Sequence, residues 1–90
     1  MKLNFPADKA ARLSAALDAF EDAERTGEDE YVVDFYDLEP PLSMELAFVG
    51  DGVEVLAAER LAFDEALDGY YLSGPEHDAA LIARALETLL

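Results

Sequence analysis

Between Tyr31 and Leu61 the chain reads YVVDFYDLEPPLSMELAFVGDGVEVLAAERL, three runs of alternating or β-branched apolar residues separated by Pro40-Pro41 and Gly50-Asp51-Gly52. Strand side chains alternate between two faces, so this pattern predicts a three-stranded antiparallel meander. In the first run Tyr31, Val33 and Phe35 share one face while Val32, Asp34 and Tyr36 share the other. Val33 and Phe35 are the better core candidates, which leaves Asp34 and Tyr36 outward. Leu42, Met44, Leu46 and Phe48 alternate with Ser43, Glu45, Ala47 and Val49, the cleanest half-buried strand in the chain. The glycines around Asp51 tolerate the positive φ that a tight hairpin requires, and Val53 and Val55 resume the alternation.

Two periods compete from Ala57 to Gly69: a strand with Leu61 and Phe63 inward, or a short helix on Leu56, Phe63 and Leu67. The favoured reading is a strand to about Phe63 and a turn or one helical turn from Asp64 to Gly69, with Tyr70-Tyr71-Leu72 as a short fourth strand. Ahead of the meander, Ala10, Leu13, Leu17 and Phe20 recur at three- and four-residue steps. They predict a helix from Ala7 to about Arg25, started by Pro6 and stopped at Thr26-Gly27. Leu3 and Phe5 form a short strand or pack under that helix. At the other end, Ser73 to Glu76 has capping-box spacing, Pro75 suits a helix start, and Ile82, Ala85, Leu86 and Leu89 mark a broad apolar helical face. The expected fold is α+β: one domain over residues 1–90, a three- to four-stranded antiparallel sheet with an N-terminal and a C-terminal helix packed on one face.

Composition sharpens this picture. With 52% apolar residues the chain folds, despite a net charge of −15 from 21 acids and 6 cations. The charge is uneven: residues 1–25 sum to −1 and residues 26–90 to −14. Solubility needs far less, and self-repulsion of this size opposes compaction. No cysteine is present, so disulfides and thiolate metal sites are excluded. No apolar run reaches the roughly 20 residues of a membrane span, and MKLNFPADKAAR lacks the apolar centre of a secretory signal. A cytoplasmic protein is expected.

Catalytic chemistry has little to stand on. The one histidine, His77, falls at the start of the last helix, and Ser14, Ser43 and Ser73 lack any nucleophile-elbow context, so His77 reads as an ordinary surface residue. Carboxylate pairs arise by chance among so many acids. Neither Gly50-Asp51-Gly52 nor Glu76-His77-Asp78 has the spacing of a calcium loop or zinc site, and no glycine-rich phosphate loop exists. The expectation is a non-enzymatic protein without cofactor or metal. The acids themselves are the candidate partner-binding residues: Asp34, Asp37, Glu39 and Glu45 on the first half of the meander, then Asp51, Glu54 and Glu59 around its hairpin. Asp64, Glu65 and Asp68 flank this zone, as do Glu28, Asp29 and Glu30, and Arg60 is its single cation. Carboxylates at i and i+2 of a strand, such as Asp37 and Glu39, lie about 6.6–6.8 Å apart, of the order of phosphate spacing along a nucleic-acid strand. Tyr36, with Tyr31, Tyr70 and Tyr71, offers flat amphipathic contact area, although single tyrosines on a small sheet more often pack half-buried.

In size, acidity, absence of cysteine and absence of catalytic motifs, the whole chain resembles the small phage-encoded DNA-mimic inhibitors, including acidic anti-CRISPR and anti-restriction proteins. The likeness is compositional and carries over no functional residue, because those families share no motif. It implies a monomer in the host cytoplasm that blocks the basic DNA- or RNA-binding groove of a CRISPR effector or restriction complex, without itself touching nucleic acid or membrane. Two other readings fit the same composition: an immunity protein that neutralises a basic nuclease toxin, and an ordinary domain from a salt-adapted cytoplasm. The near-neutral first helix speaks against the last, since salt adaptation spreads acids over every exposed face.

Overall fold

Leu42, Met44 and Leu46 are fully buried and their neighbours are not, which places the predicted central strand in the middle of the sheet. The computed structural model describes residues 1–50 and 52–90. Its elements in chain order are β1 (Lys2–Leu3), α1 (Ala7–Ala19), β2 (Ala23–Gly27), β3 (Glu30–Phe35), β4 (Leu42–Val49), β5 (Gly52–Asp64), β6 (Gly69–Pro75) and α2 (Ala79–Glu87). The strands form one antiparallel sheet in the order β1-β5-β4-β3-β2, with β6 also on β5. Since β4 occupies one edge of β5, β1 and β6 share the other, β1 at Val53–Glu54 and β6 from Glu59 to Asp64.

Both helices cover one face. Leu13 and Leu17 of α1 and Ile82, Ala85 and Leu86 of α2 join Tyr31, Val33, Phe35, Leu42, Met44, Leu46, Val53 and Val55 in a single core. Among the described residues, the sheet face of opposite parity carries no helix. No helix among the described residues is long and apolar enough to cross a membrane.

The α+β class and the terminal helices match expectation, but among the described residues the sheet has six strands rather than three or four. One extra strand comes from a shortened helix: α1 ends at Ala19, and Phe20 turns extended (φ −85°, ψ 127°) to stack on Phe35 at 6.0 Å. Continued to Arg25, the helix would have only Ala23 to bury; as a strand, Ala23 pairs with Val33 against the core. Gly27 therefore ends a strand at a β-bulge and does not cap a helix.

The capping box at Ser73 is absent as well. Ser73 and Pro75 belong to β6, where the Ser73 hydroxyl donates to the Arg60 carbonyl (3.2 Å). The N-cap of α2 is Asp78, whose carboxylate accepts from the N–H groups of Ala80 (3.0 Å) and Leu81 (3.3 Å). Residues 57–64 are strand, as favoured, but with a shift in parity. Leu46 pairs with Val55 and Glu45 with Ala57, so Leu56 is an extra, exposed residue. Beyond this bulge Ala58 and Arg60 take the helix side, and Phe63, expected inward, lies exposed on the helix-free face.

Candidate functional site

The helix-free face of the sheet carries the acids in a regular arrangement set by strand register. Glu30 pairs with Ala47 and Ala47 with Glu54; Val32 pairs with Glu45 and Glu45 with Ala57; Asp34 pairs with Ser43 and Ser43 with Glu59. Paired residues share a face, so these three rows form a checkerboard with Glu45 at its centre and Glu30, Glu54, Asp34 and Glu59 at its four diagonals. No two of these carboxylates stand directly opposite on neighbouring strands, the arrangement that like charges tolerate least. Glu24 continues the middle row through its pairing with Val32. Two cations meet this lattice at one corner: Lys2 stands opposite Glu54 on β1, and the Met1 ammonium lies 3.4 Å from Glu54 Oε1.

The helix layer is different. Residues 6–20 and 78–90 hold Asp8, Asp18, Asp78 and Glu87 against Lys9, Arg12 and Arg84, a net −1, leaving −14 for the strands and their connections. Lys9 and Glu87 join the two helices through a 3.0 Å ion pair.

Of the residues marked in the sequence, the fold brings together Asp34, Tyr36, Glu45, Glu54 and Glu59 on this face. It sets Asp37 and Glu39 apart. Both are exposed in the connection between β3 and β4, off any strand, so the ladder spacing expected for them does not apply. Asp64, Glu65 and Asp68 sit at the tip of the β5–β6 hairpin, where Asp64 Oδ1 accepts from the N–H groups of Ala66 (2.9 Å) and Leu67 (3.3 Å) and so shapes the turn. Asp51 lies outside the described residues. Glu24 was hidden in the sequence by the overlong helix, and Glu30 stood only as a flanking residue; pairing alone puts both on the open face.

Next to the checkerboard lies an aromatic patch. Tyr36 and Tyr70 approach to 4.8 Å between ring centroids and Phe63 meets Tyr70 edge-on at 5.2 Å, all three exposed. Leu61, outside the helix-covered core, is buried on this same face, opposite the exposed Leu72 of β6. The Tyr36 hydroxyl donates to Asp34 Oδ2 (3.1 Å); partial burial first, then the Asp34 charge, raises the phenol above its ordinary pKa. Tyr31, expected to share this contact role, instead points into the core at 1% exposure. Its hydroxyl donates to Asp18 Oδ1 (2.7 Å) and accepts from Arg25 Nη2 (2.6 Å). The Tyr31 bond, then Arg25, hold the Asp18 carboxyl below its usual range against the opposing effect of desolvation.

A shallow cleft of about 410 Å³ beside β5 is lined by Val55, Ala58, Glu76, His77 and Ile82. Glu76 Oε1 accepts from Arg60 Nε (2.9 Å) and Oε2 from the N–H groups of His77 (3.0 Å) and Asp78 (3.1 Å). Arg60 first, then these N–H groups, lower its pKa, and the carboxylate ties Arg60 of β5 to the chain entering α2. His77 is exposed. Among the described residues no three His, Asp or Glu side chains are grouped to hold a metal. Compared with known proteins, the chain has no significant match to any family model, curated protein or solved structure.

Proposed function

We propose that this protein is a non-enzymatic acidic decoy whose helix-free sheet face occupies the cationic nucleic-acid-binding groove of a partner. The observation that carries the reading is the checkerboard of Glu30, Asp34, Glu45, Glu54 and Glu59 on an uncovered face, set against a helix layer with a net charge of −1. Such a face repels nucleic acid and attracts the surfaces that bind it. Charge complementarity speeds encounter, and the ions displaced make affinity fall steeply with salt. Following the compositional resemblance, the proposed targets are CRISPR-type effectors and restriction complexes, met in the cytoplasm of the host cell by the monomer.

The same electrostatics serve an immunity protein against a basic nuclease, and inhibition of such a toxin in place of an effector would favour that partner. A salt-adapted domain is less well supported, because its acids should coat the helices as densely as the sheet. The test is displacement of labelled DNA from purified effectors and restriction complexes. The decoy should release DNA at low salt, and potency should drop as salt rises. A variant with Glu45, Glu54 and Glu59 all changed to lysine should fold and fail to compete. Equal inhibition by that variant would refute the reading.

A further inference from the structure

The charge lattice leaves unexplained why three aromatic rings lie exposed on the same face. Tyr36, Phe63 and Tyr70 are 37%, 51% and 43% exposed, yet they contact one another and sit over the buried Leu61 side of the sheet. A second copy of this chain is a poor occupant, since each copy carries −15. Nucleobases stack on such rings but bring phosphates into a negative field. What fits both the rings and the Asp34 carboxylate held against Tyr36 is a planar cation.

The protein already contains that arrangement once. Arg25 lies over the Tyr31 ring, 5.2 Å from guanidinium carbon to centroid, while its Nη2 pairs with Asp18 Oδ2 at 3.1 Å. Ring, guanidinium and carboxylate there form one unit, and the open face presents a ring and a carboxylate without the guanidinium. Tyr36 even holds its own carboxylate, Asp34, in place through the 3.1 Å hydrogen bond.

We propose that the Tyr36–Phe63–Tyr70 patch is an arginine-reading platform: an arginine of the partner stacks on the rings while its guanidinium pairs with the Asp34 carboxylate beside them. This rests on the decoy reading and narrows it, because lysine grips phosphate as a point charge and gains less from a flat ring or a bidentate carboxylate. A groove lined by arginine is therefore a better target than one equally positive through lysine.

The experiment compares fluorescein-labelled octa-arginine and octa-lysine, of equal charge, by polarisation in low-salt buffer. The proteins are the wild type, a Tyr36→Leu/Phe63→Leu/Tyr70→Leu variant, and Tyr71→Leu on the other side of β6. Arginine binds carboxylates somewhat better anywhere, so the readout is the change in preference between proteins. The wild type and Tyr71→Leu should share an arginine preference that falls about two- to fivefold in the triple variant, while its octa-lysine affinity stays put. Should the triple variant lose its fold, as judged by circular dichroism, Tyr70→Leu alone should lower the preference and Tyr70→Phe, which keeps the ring, should preserve it. An unchanged preference in the ring variants overturns the platform and leaves the decoy standing. Failure of the wild type to bind either peptide overturns both.

Discussion

Glu45→Gln should make this protein more stable, by an amount that depends on salt. Glu45 occupies the centre of the checkerboard, with Glu30, Glu54, Asp34 and Glu59 on its four diagonals. Diagonal positions on neighbouring strands are about 7–8 Å apart, and two like charges at that distance in water repel by about 0.5–0.6 kcal/mol. Four such pairs total about 2 kcal/mol without screening. With a Debye length of about 30 Å at 0.01 M salt most of this survives; at about 8 Å, near 0.15 M, under half does. Carboxylates splay apart and the unfolded chain keeps some of its own repulsion, so about half of each figure is expected. That leaves about 1 kcal/mol at 0.01 M and about 0.4 kcal/mol at 0.15 M.

For a domain of this size about 1 kcal/mol moves Tm by about 4–8 °C. Circular-dichroism melts of wild type and Glu45→Gln across a salt series should therefore show a gap of about that size in dilute buffer, closing toward zero near 1 M, where the Debye length is about 3 Å. Glu87→Gln is the control. It loses a 3.0 Å partner, Lys9, on the near-neutral side, and should gain nothing. A Glu45→Gln variant no more stable than wild type, or more stable by the same margin at every salt concentration, would refute the lattice. Glutamine at position 45 should also weaken binding to a polycation, so that stability and affinity move in opposite directions.

Three further outcomes follow from particular contacts. Asp78→Ala removes the acceptor for the Ala80 and Leu81 N–H groups and should cost about 1 kcal/mol, read as a Tm drop of about 4–8 °C. Tyr31→Phe deletes the part-buried hydroxyl between Asp18 and Arg25 and should lower the urea unfolding midpoint, with the Asp18 carboxyl moving up toward its ordinary pKa in NMR titration. Glu76 has a depressed folded pKa, so its contribution is complete above the usual carboxylate range and is lost as pH falls through the folded value. Glu76→Gln should thus be less stable than wild type at neutral pH, with the gap narrowing on acidification; a gap constant with pH would contradict the assignment.

The core was legible where period and burial agree. Val33, Phe35, Leu42, Met44, Leu46, Val53 and Val55 alternate cleanly, and each faces the helices. It failed where a local rule met a competing tertiary one. The alanine-rich run to Arg25 suits a helix, but only pairing with β3 gives Ala23 an apolar neighbour. Ser73 and Glu76 have capping spacing, yet β6 needs Ser73 and Pro75 for pairing with β5, and Asp78 caps in their place. As for the candidate site, the acids of β3, β4 and β5 were visible as outward positions, but their diagonal relation depends on register, which no single strand encodes. Asp37 and Glu39 misled because i and i+2 mean a shared face only on a strand.

The bulge at Leu56 makes the last case, and it runs against the usual expectation for deletions. Removing one residue from a strand normally sends every later side chain to the other face. Here Leu56 is the supernumerary residue, with Leu46 pairing Val55 and Glu45 pairing Ala57. Deleting it joins Val55, inward, to Ala57, outward, and leaves Ala58 inward and Glu59 outward as they are now. The deletion also removes an exposed leucine. It should therefore fold, with a Tm change of under about 10 °C and the acidic lattice intact, whereas deleting Ala47 from β4 must turn the residues on one side of the cut over and unfold the domain. Thermal melts of the two deletions decide the matter. If loss of Leu56 is as damaging as loss of Ala47, the bulge is not what aligns Glu54 and Glu59 on one face.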